Sequence, residues 1–228
     1  MRRIKINPKY EHLRSYIESI PDVFEQEGFE IYNKRNLIKV LTAPDGTQIN
    51  VKRYHVPHGP NRLIYSWGIR EPKGERAFAY PMILKDKGIG TPEPIALIEE
   101  RNPLFLLGYS YLITIQCDYG HTLYEVGNAQ PGEYENLAKA LAHFAANIHD
   151  HNILHKDFTP GNVLWKQDDE GFHFMLVDIN RMNFGEVSIQ EGLFNLRKFY
   201  SKTSDFNLSV FSADYLNIAV CKVSYNIS

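Results

Sequence analysis

Residues 155 to 162, His-Lys-Asp-Phe-Thr-Pro-Gly-Asn, are a polar loop held between an amphipathic run and a short apolar one, and this setting restricts the fold more than any other feature of the chain. Upstream, Glu133 to His151 brings Leu137, Leu141, Phe144, Ala145 and Ile148 to one face at helical spacing, with the charges elsewhere. That pattern predicts a core helix with one buried stripe. Downstream, NVLW and FHFMLVD predict two short strands around the polar turn KQDDEG. Thr-Pro-Gly alone would mark only a turn. The loop carries more than that, because His155, Asp157 and Asn162 stand in the order His-x-Asp-x-x-x-x-Asn and the second strand ends in Asp178.

The preceding part reads as a different layer. GFEIYN, NLIKVLT and TQINVKRY predict an antiparallel meander, with the turn residues Ala-Pro-Asp-Gly at 43 to 46 between the last two. In the third strand Ile49, Val51 and Arg53 face one side, and Asn50, Lys52 and Tyr54 the other. HVPHGPN at 55 to 61 is loop by its Pro and Gly content. Lys73 to Lys87 is helical in composition, and Pro81 should kink that helix or divide it. Further strands are predicted within 91 to 102 and 110 to 120, the second running into a Gly-containing connector. The expected organisation is α+β and two-lobed: residues 1–115 form an antiparallel-sheet lobe with a helix, and residues 116–228 a small, mainly helical lobe. In the latter, Ser188 and Glu191 make a capping box ahead of EGLFNLRKFY.

Composition removes several classes of function. A chain of 228 residues with 43% hydrophobic and 23% charged residues is ordinary for a globular protein. A formal net charge of -2 offers no basic footprint, so nucleic acid is not an expected partner. Cys117 and Cys221 form neither a disulfide framework nor a zinc pattern. The first twelve residues, MRRIKINPKYEH, lack the apolar core of a signal peptide, and the most apolar stretch, PLFLLGYSYLITI, is too short and polar to span a bilayer. A cytoplasmic location follows as the expectation, with any membrane contact peripheral. Arg2, Arg3 and Lys5 are read as a solvated terminus, with contact to anionic lipid as the alternative.

Phosphoryl transfer asks little covalent chemistry of a protein. It needs a group that orients a hydroxyl, ligands for magnesium and charge to neutralise phosphates. Asp157 would accept or orient the acceptor's proton, Asn162 would turn back toward a metal, and Asp178 would bridge metal to nucleotide. His155 is read as a brace for the loop. Lys52, in a strand, stands where a phosphate-pairing lysine belongs, and Glu75 at the start of the next helix is its candidate partner, ahead of Glu71 and Glu93. Each residue also has a plain structural reading. Asp157 fits an Asx turn, Asp178 a strand-ending cap, Lys52 a surface lysine and Glu75 a first-turn acid facing the helix dipole.

VKRY with Lys52, GERAF followed by GIGTPEPIALIE, HKDFTPGNVLW and LVDINRMNFG together resemble the protein-kinase-like phosphotransferases. Within these the chain is similar to the bacterial lipopolysaccharide core-sugar kinases, the Kdo and heptose kinase family, over about 135 of its 228 residues. The resemblance implies a two-lobed kinase-like fold and transfer of the ATP gamma-phosphate to a sugar hydroxyl, on a Kdo or heptose of a lipopolysaccharide core. ATP and Mg2+ are the implied cofactors. The implied roles are Lys52 on the nucleotide phosphates, Glu75 as its partner, Asp157 as catalytic base, and Asn162 and Asp178 as metal ligands. The implied location is cytoplasmic, with peripheral contact at the inner face of the inner membrane.

The chain departs from protein kinases at several points. No Gly-x-Gly-x-x-Gly follows Gly28, which leaves Lys34 or Arg35 to meet the phosphates. Asp-Phe-Gly is replaced by Asp-Ile-Asn, in which Asn180 can still adopt a left-handed conformation at modest cost. Thr159 stands two residues after Asp157, where peptide kinases carry lysine, and nothing matches their Ala-Pro-Glu segment. These departures disfavour a protein acceptor. A kinase for a free small molecule or a protein, and an inactive pseudokinase module, remain the rival readings.

Overall fold

The computed structural model describes residues 1–34, 36–128, 134–200 and 214–215. Arg35, Glu133 and Cys221 lie outside them. In chain order the first half contains β1 (Arg2–Ile6), a 3-10 turn at Pro8–Leu13, α1 (Arg14–Val23), β2 (Phe29–Asn33), β3 (Asn36–Thr42), β4 (Gln48–Tyr54), α2 (Pro60–Ser66), α3 (Lys73–Lys85), β5 (Pro94–Arg101) and β6 (Leu107–Ile115). The six strands form one sheet in the order β1-β5-β6-β4-β3-β2, with every neighbouring pair antiparallel.

Strand alternation determines what covers each face of this sheet. Ile49 and Val51 of β4 join Leu41, Ile98 and Ile113 in a core closed by Tyr10, Leu13, Ile17, Ile20 and Phe24. The last four recur at helical spacing and make α1 amphipathic, a stripe the sequence contains but that went unread. Tyr54 points the other way and packs with Leu112 against Ala77 and Phe78 of α3. Lys52 therefore shares the α3-covered face with Tyr54. Gly74 lets the first turn of α3 come down on β5: a Cβ there would meet Leu97 Cδ1 at 2.7 Å.

Two expectations change here. The basic N-terminus is not a solvated end but the edge strand β1, registered on β5 from Arg2↔Glu100 to Ile6↔Ala96. Arg2 pairs with Asp22 and Glu100, while Lys5 and Arg3 pair with Glu75. Ile4 and Ile6 do carry a period-2 strand signal, and the charges between them masked it. Pro81 does not divide α3, which runs as one helix from Lys73 to Lys85. One proline removes a single backbone donor, and the burial of Ala77, Pro81 and Leu84 carries the helix past that loss.

The second half contains β7 (His121–Thr122), a 3-10 turn at Leu123–Asn128, α4 (Glu135–Asp150), β8 (Ile153–His155), β9 (Val163–Asp168), β10 (Gly171–Leu176), β11 (Met182–Phe184) and α5 (Ile189–Tyr200). β9 and β10 form the expected hairpin, extended by β7, and β11 pairs with β8. In α4, Leu137, Leu141, Ala145 and Ile148 are buried as the spacing requires. The capping box forms: Ser188 N–H and Oγ donate to Glu191 Oε2 at 3.0 and 2.7 Å.

The chain divides into two compact units, Met1–Ile83 with Pro92–Asp118, and Leu84–Thr91 with Tyr119–Ser228. The first connector thus lies within the second unit. Leu176 N–H donates to Gly90 O at 2.8 Å and Thr91 Oγ1 to Leu176 O at 2.9 Å. Only glycine fits at 90, where a Cβ would lie 2.7 Å from Phe174 O.

Lys39 gives this fold a direct test. It shares the core face of β3 with Leu37 and Leu41, is 7% exposed, and donates to the carbonyls of Phe24, Glu25 and Glu27 at 2.7, 3.0 and 3.1 Å. A buried ammonium here satisfies the carbonyls that α1 and its exit would leave orphaned. Lys39→Met should lower the unfolding free energy by about 2–3 kcal/mol, as expected when bonds to a charged group are removed and their acceptors stay buried. The check is a urea titration, in which the midpoint falls while the slope is unchanged.

Candidate active site

β8 delivers His155 to the interior of the second unit, where it is 1% exposed. The Asp157 N–H donates to His155 Nδ1 at 3.1 Å, so the ring proton sits on Nε2 and is shared with Val177 O at 3.3 Å. Burial pushes this imidazole below its ordinary pKa and keeps it neutral. One side chain thereby ties the loop before Asp157 to the strand end before Asp178.

A second tie runs through Asn162, which a 3-10 turn at Pro160–Asn162 folds back toward the start of the loop. Its Nδ2 donates to Asp157 O at 2.8 Å, and its own carbonyl accepts from Val177 N–H at 3.0 Å. With Nδ2 so engaged, the amide oxygen is the ligating atom that remains. Asp178 adopts the left-handed conformation, φ 55 and ψ 41, and Asn180 does not. The left-handed turn read as open to Asn180 is thus taken by Asp178. The chain reverses direction at the first residue after Val177, and an Asp tolerates that region at modest cost. Asn180 Nδ2 instead donates to Asp178 Oδ1 at 2.7 Å.

α5 supplies a residue that local sequence did not disclose. Lys198 Nζ lies 2.7 Å from Asp157 Oδ1 and 3.0 Å from Lys156 O. Partial burial pushes the Asp157 carboxyl up, and the Lys198 ammonium outweighs this and holds it below the usual carboxylate range. A lysine in a helix's last turn reads from sequence as a dipole partner; only the packing of α5 brings this one to Asp157. Asn195, one turn earlier, donates to His155 O at 2.9 Å and bonds His149 through its other amide atom at 3.3 Å.

In the first unit, Lys52 Nζ lies 5.2 Å from the Tyr54 ring centroid. Glu75 is 6% exposed, and sequence reasoning paired it with Lys52; the cations on its carboxylate in this structure are Lys5 and Arg3, the latter at 3.5 Å. Neither cation could be assigned to Glu75 while β1 was read as a free terminus.

Within the second unit His155 and the Asn162 amide tie Asp157 and Asn162 to the strand end before Asp178, and the sheet unit separately carries Lys52 on β4. The profile of the lipopolysaccharide kinase (Kdo/WaaP) family matches residues 28–215. The chain belongs to this family. It is a kinase, a phosphotransferase that uses ATP and acts on a sugar of the lipopolysaccharide core. No curated protein matches the sequence. Among solved structures it is similar to WaaP in complex with acyl carrier protein, with a TM-score of 0.61 and 16% identity, covering 94% of this chain and 89% of that one. It is also similar to the Rio2 kinase of Chaetomium thermophilum, solved with ADP, Mg2+ and phosphoaspartate, with a TM-score of 0.53 and 15% identity over 83% of this chain and 58% of that one. At these identities the likeness speaks for the fold, which is protein-kinase-like.

The two buried imidazoles of this family member make a pH signature. Burial holds both His149 and His155 below the ordinary value of 6.5. The unfolded chain binds those protons as pH falls through about 6.5 while the folded chain does not, so their contribution is complete above that pH and declines below it. Urea midpoints measured between pH 8 and 5.5 should be level at first and drop below about 6.5. The drop should shrink in His149→Gln.

Proposed function

We propose that the second unit transfers the ATP gamma-phosphate to a hydroxyl of a Kdo or heptose residue, with Asp157 as the base that orients and accepts the hydroxyl proton. The observation that carries this reading is the fixing of Asp157, Asn162 and the Val177–Asp178 strand end to one another through His155 and the Asn162 amide. Such bonds hold a catalytic group in place before the substrate arrives, which is where most of the rate gain in this chemistry originates.

Asn162 and Asp178 would hold Mg2+, which supplies charge neutralisation on the phosphates. The donor set fits a hard cation, since what these residues offer are amide and carboxylate oxygens. The buried Asn180 Oδ1, with no hydrogen-bond partner among the described residues, adds an oxygen beside Asp178. Those residues contain no cluster of three His, Cys, Asp or Glu able to cage a metal, and Mg2+ is commonly held by one or two carboxylates together with substrate phosphates. Lys52 would meet the nucleotide phosphates from β4. Glu75, braced by Lys5 and Arg3, would keep the first turn of α3 in place beneath them.

The acceptor is a glycolipid, so the enzyme works at the cytoplasmic face of a membrane through weak, salt-sensitive contact. No helix among the described residues is long and apolar enough to cross a membrane. The rivals, a kinase for proteins or free small molecules and an inactive module, have no comparable support.

Incubation with gamma-labelled ATP and Mg2+ should label lipopolysaccharide and leave casein-like proteins unlabelled; the reverse would sink this reading. Asp157→Asn should keep ATP binding and lower kcat by roughly two to four orders of magnitude, the range for a general base. Lys52→Ala and Asp178→Ala should weaken nucleotide binding itself. Mg2+ should enlarge the rise in melting temperature that ATP produces, and chelator should remove that enlargement.

A further inference from the structure

The position two residues after Asp157 is Thr159, so that position supplies no cation. α5 brings one. Lys198 Nζ is 2.7 Å from Asp157 Oδ1 and 3.0 Å from Lys156 O. It is held there by its neighbours on the same helix: Asn195 donates to His155 O at 2.9 Å, and Phe199 meets Phe158 edge-on with ring centroids 5.1 Å apart. Residues 195, 198 and 199 share one face of α5, and all three engage residues 155 to 158. Lys198 and Asp157 both keep 32% side-chain exposure, so the pair is fixed without being closed to a substrate.

We propose that Lys198 is a catalytic residue, the cation that meets the transferred phosphoryl group beside Asp157 and takes the place of a lysine at position 159. The proposal rests on the reading of Asp157 as the base. In the transfer, the acceptor hydroxyl gives its proton to Asp157 and its oxygen bonds to the gamma-phosphorus. The bond from that phosphorus to the bridging oxygen breaks, and the electron pair leaves with ADP. The attacking oxygen must lie within hydrogen-bond reach of Asp157, and the phosphorus one bond beyond it. The phosphoryl oxygens, which carry the charge of a loose transition state, are thus brought within a few ångströms of the Lys198 ammonium. With Oδ1 on Lys198, Asp157 presents Oδ2 to the hydroxyl. A structural tether needs only hydrogen bonds to Asp157 and Lys156, whereas this role needs a positive charge, and the two can be separated by substitution.

The experiment compares wild type, Lys198→Gln and Lys198→Arg in the full chain. Gln keeps a donor for the tether without charge, and Arg keeps the charge. Isothermal titration with Mg2+ would measure ADP and a non-hydrolysable ATP analogue, since only the latter carries a gamma-phosphate. Lys198→Gln should weaken the analogue by roughly 5–30-fold while leaving ADP unchanged, the span of one charge-assisted hydrogen bond. Lys198→Arg should retain most of the preference for the analogue. With lipopolysaccharide as acceptor, kcat of the Gln variant should fall about 10²–10³-fold with KM for the acceptor little changed. Equal weakening of both nucleotides, no weakening, or identical behaviour of the Gln and Arg variants would overturn the proposal. Failure of the wild type to label lipopolysaccharide would overturn the acceptor assignment instead, and the nucleotide measurements would still decide the role of Lys198.

Discussion

The neutral imidazole of His155 holds the phosphotransfer unit together. It accepts the Asp157 N–H on one nitrogen and carries its proton toward Val177 O on the other, while its own carbonyl takes the Asn195 amide from α5. β8, the loop that follows it, the end of β10 and α5 therefore meet at one buried residue. A charged imidazole could not accept from the Asp157 N–H, so burial and function ask for the same protonation state. The hydrogen-bond capacity of the ring is used, and so a polar group can stand in a core without an unpaired atom.

The sheet unit solves a related problem with cations. Lys39 enters the apolar face of β3 and ends on three carbonyls at the exit of α1, and Glu75 receives Lys5 and Arg3 from the edge strand. Charged side chains on an edge strand also discourage pairing with another chain. These contacts fix α1 and the first turn of α3 relative to the sheet, and the second of them sets the place of Glu75, on the helix that covers the Lys52 face of β4. Stability and positioning are served by the same side chains.

The lipopolysaccharide kinase family membership and the unit geometry also explain how the chain manages without some protein-kinase features. Thr159 and Asn180 replace residues that peptide kinases use, yet neither replacement leaves the loop loose. Asn180 binds Asp178, Asp178 itself takes the left-handed turn, and Lys198 reaches Asp157 from a distant helix. The contacts on these residues are distributed over the loop, the strand end and α5.

How much of this was legible follows the range of the forces involved. The β2, β3 and β4 meander, the β9 and β10 hairpin, the buried stripe of α4 and the capping box of α5 were all readable, because period-2 and period-3.6 patterns and caps involve residues a few positions apart. The loop that carries Asp157 and Asn162 was readable too, as was the place of Asp178 just past the second strand after it, since each is set by local pattern. The partners of Glu75, the strand nature of RRIKI and the arrival of Lys198 at Asp157 were not readable. Each depends on residues 41 to 98 positions apart in the chain being brought together by the burial of apolar faces that carry no information about which charge meets which. By itself the sequence determined the elements with clear period or caps and the order of residues in the loop at 155 to 162. Tertiary packing alone decided which cation stands on the Asp157 carboxylate, because this salt bridge is set by where a helix and a loop come to rest and not by local spacing.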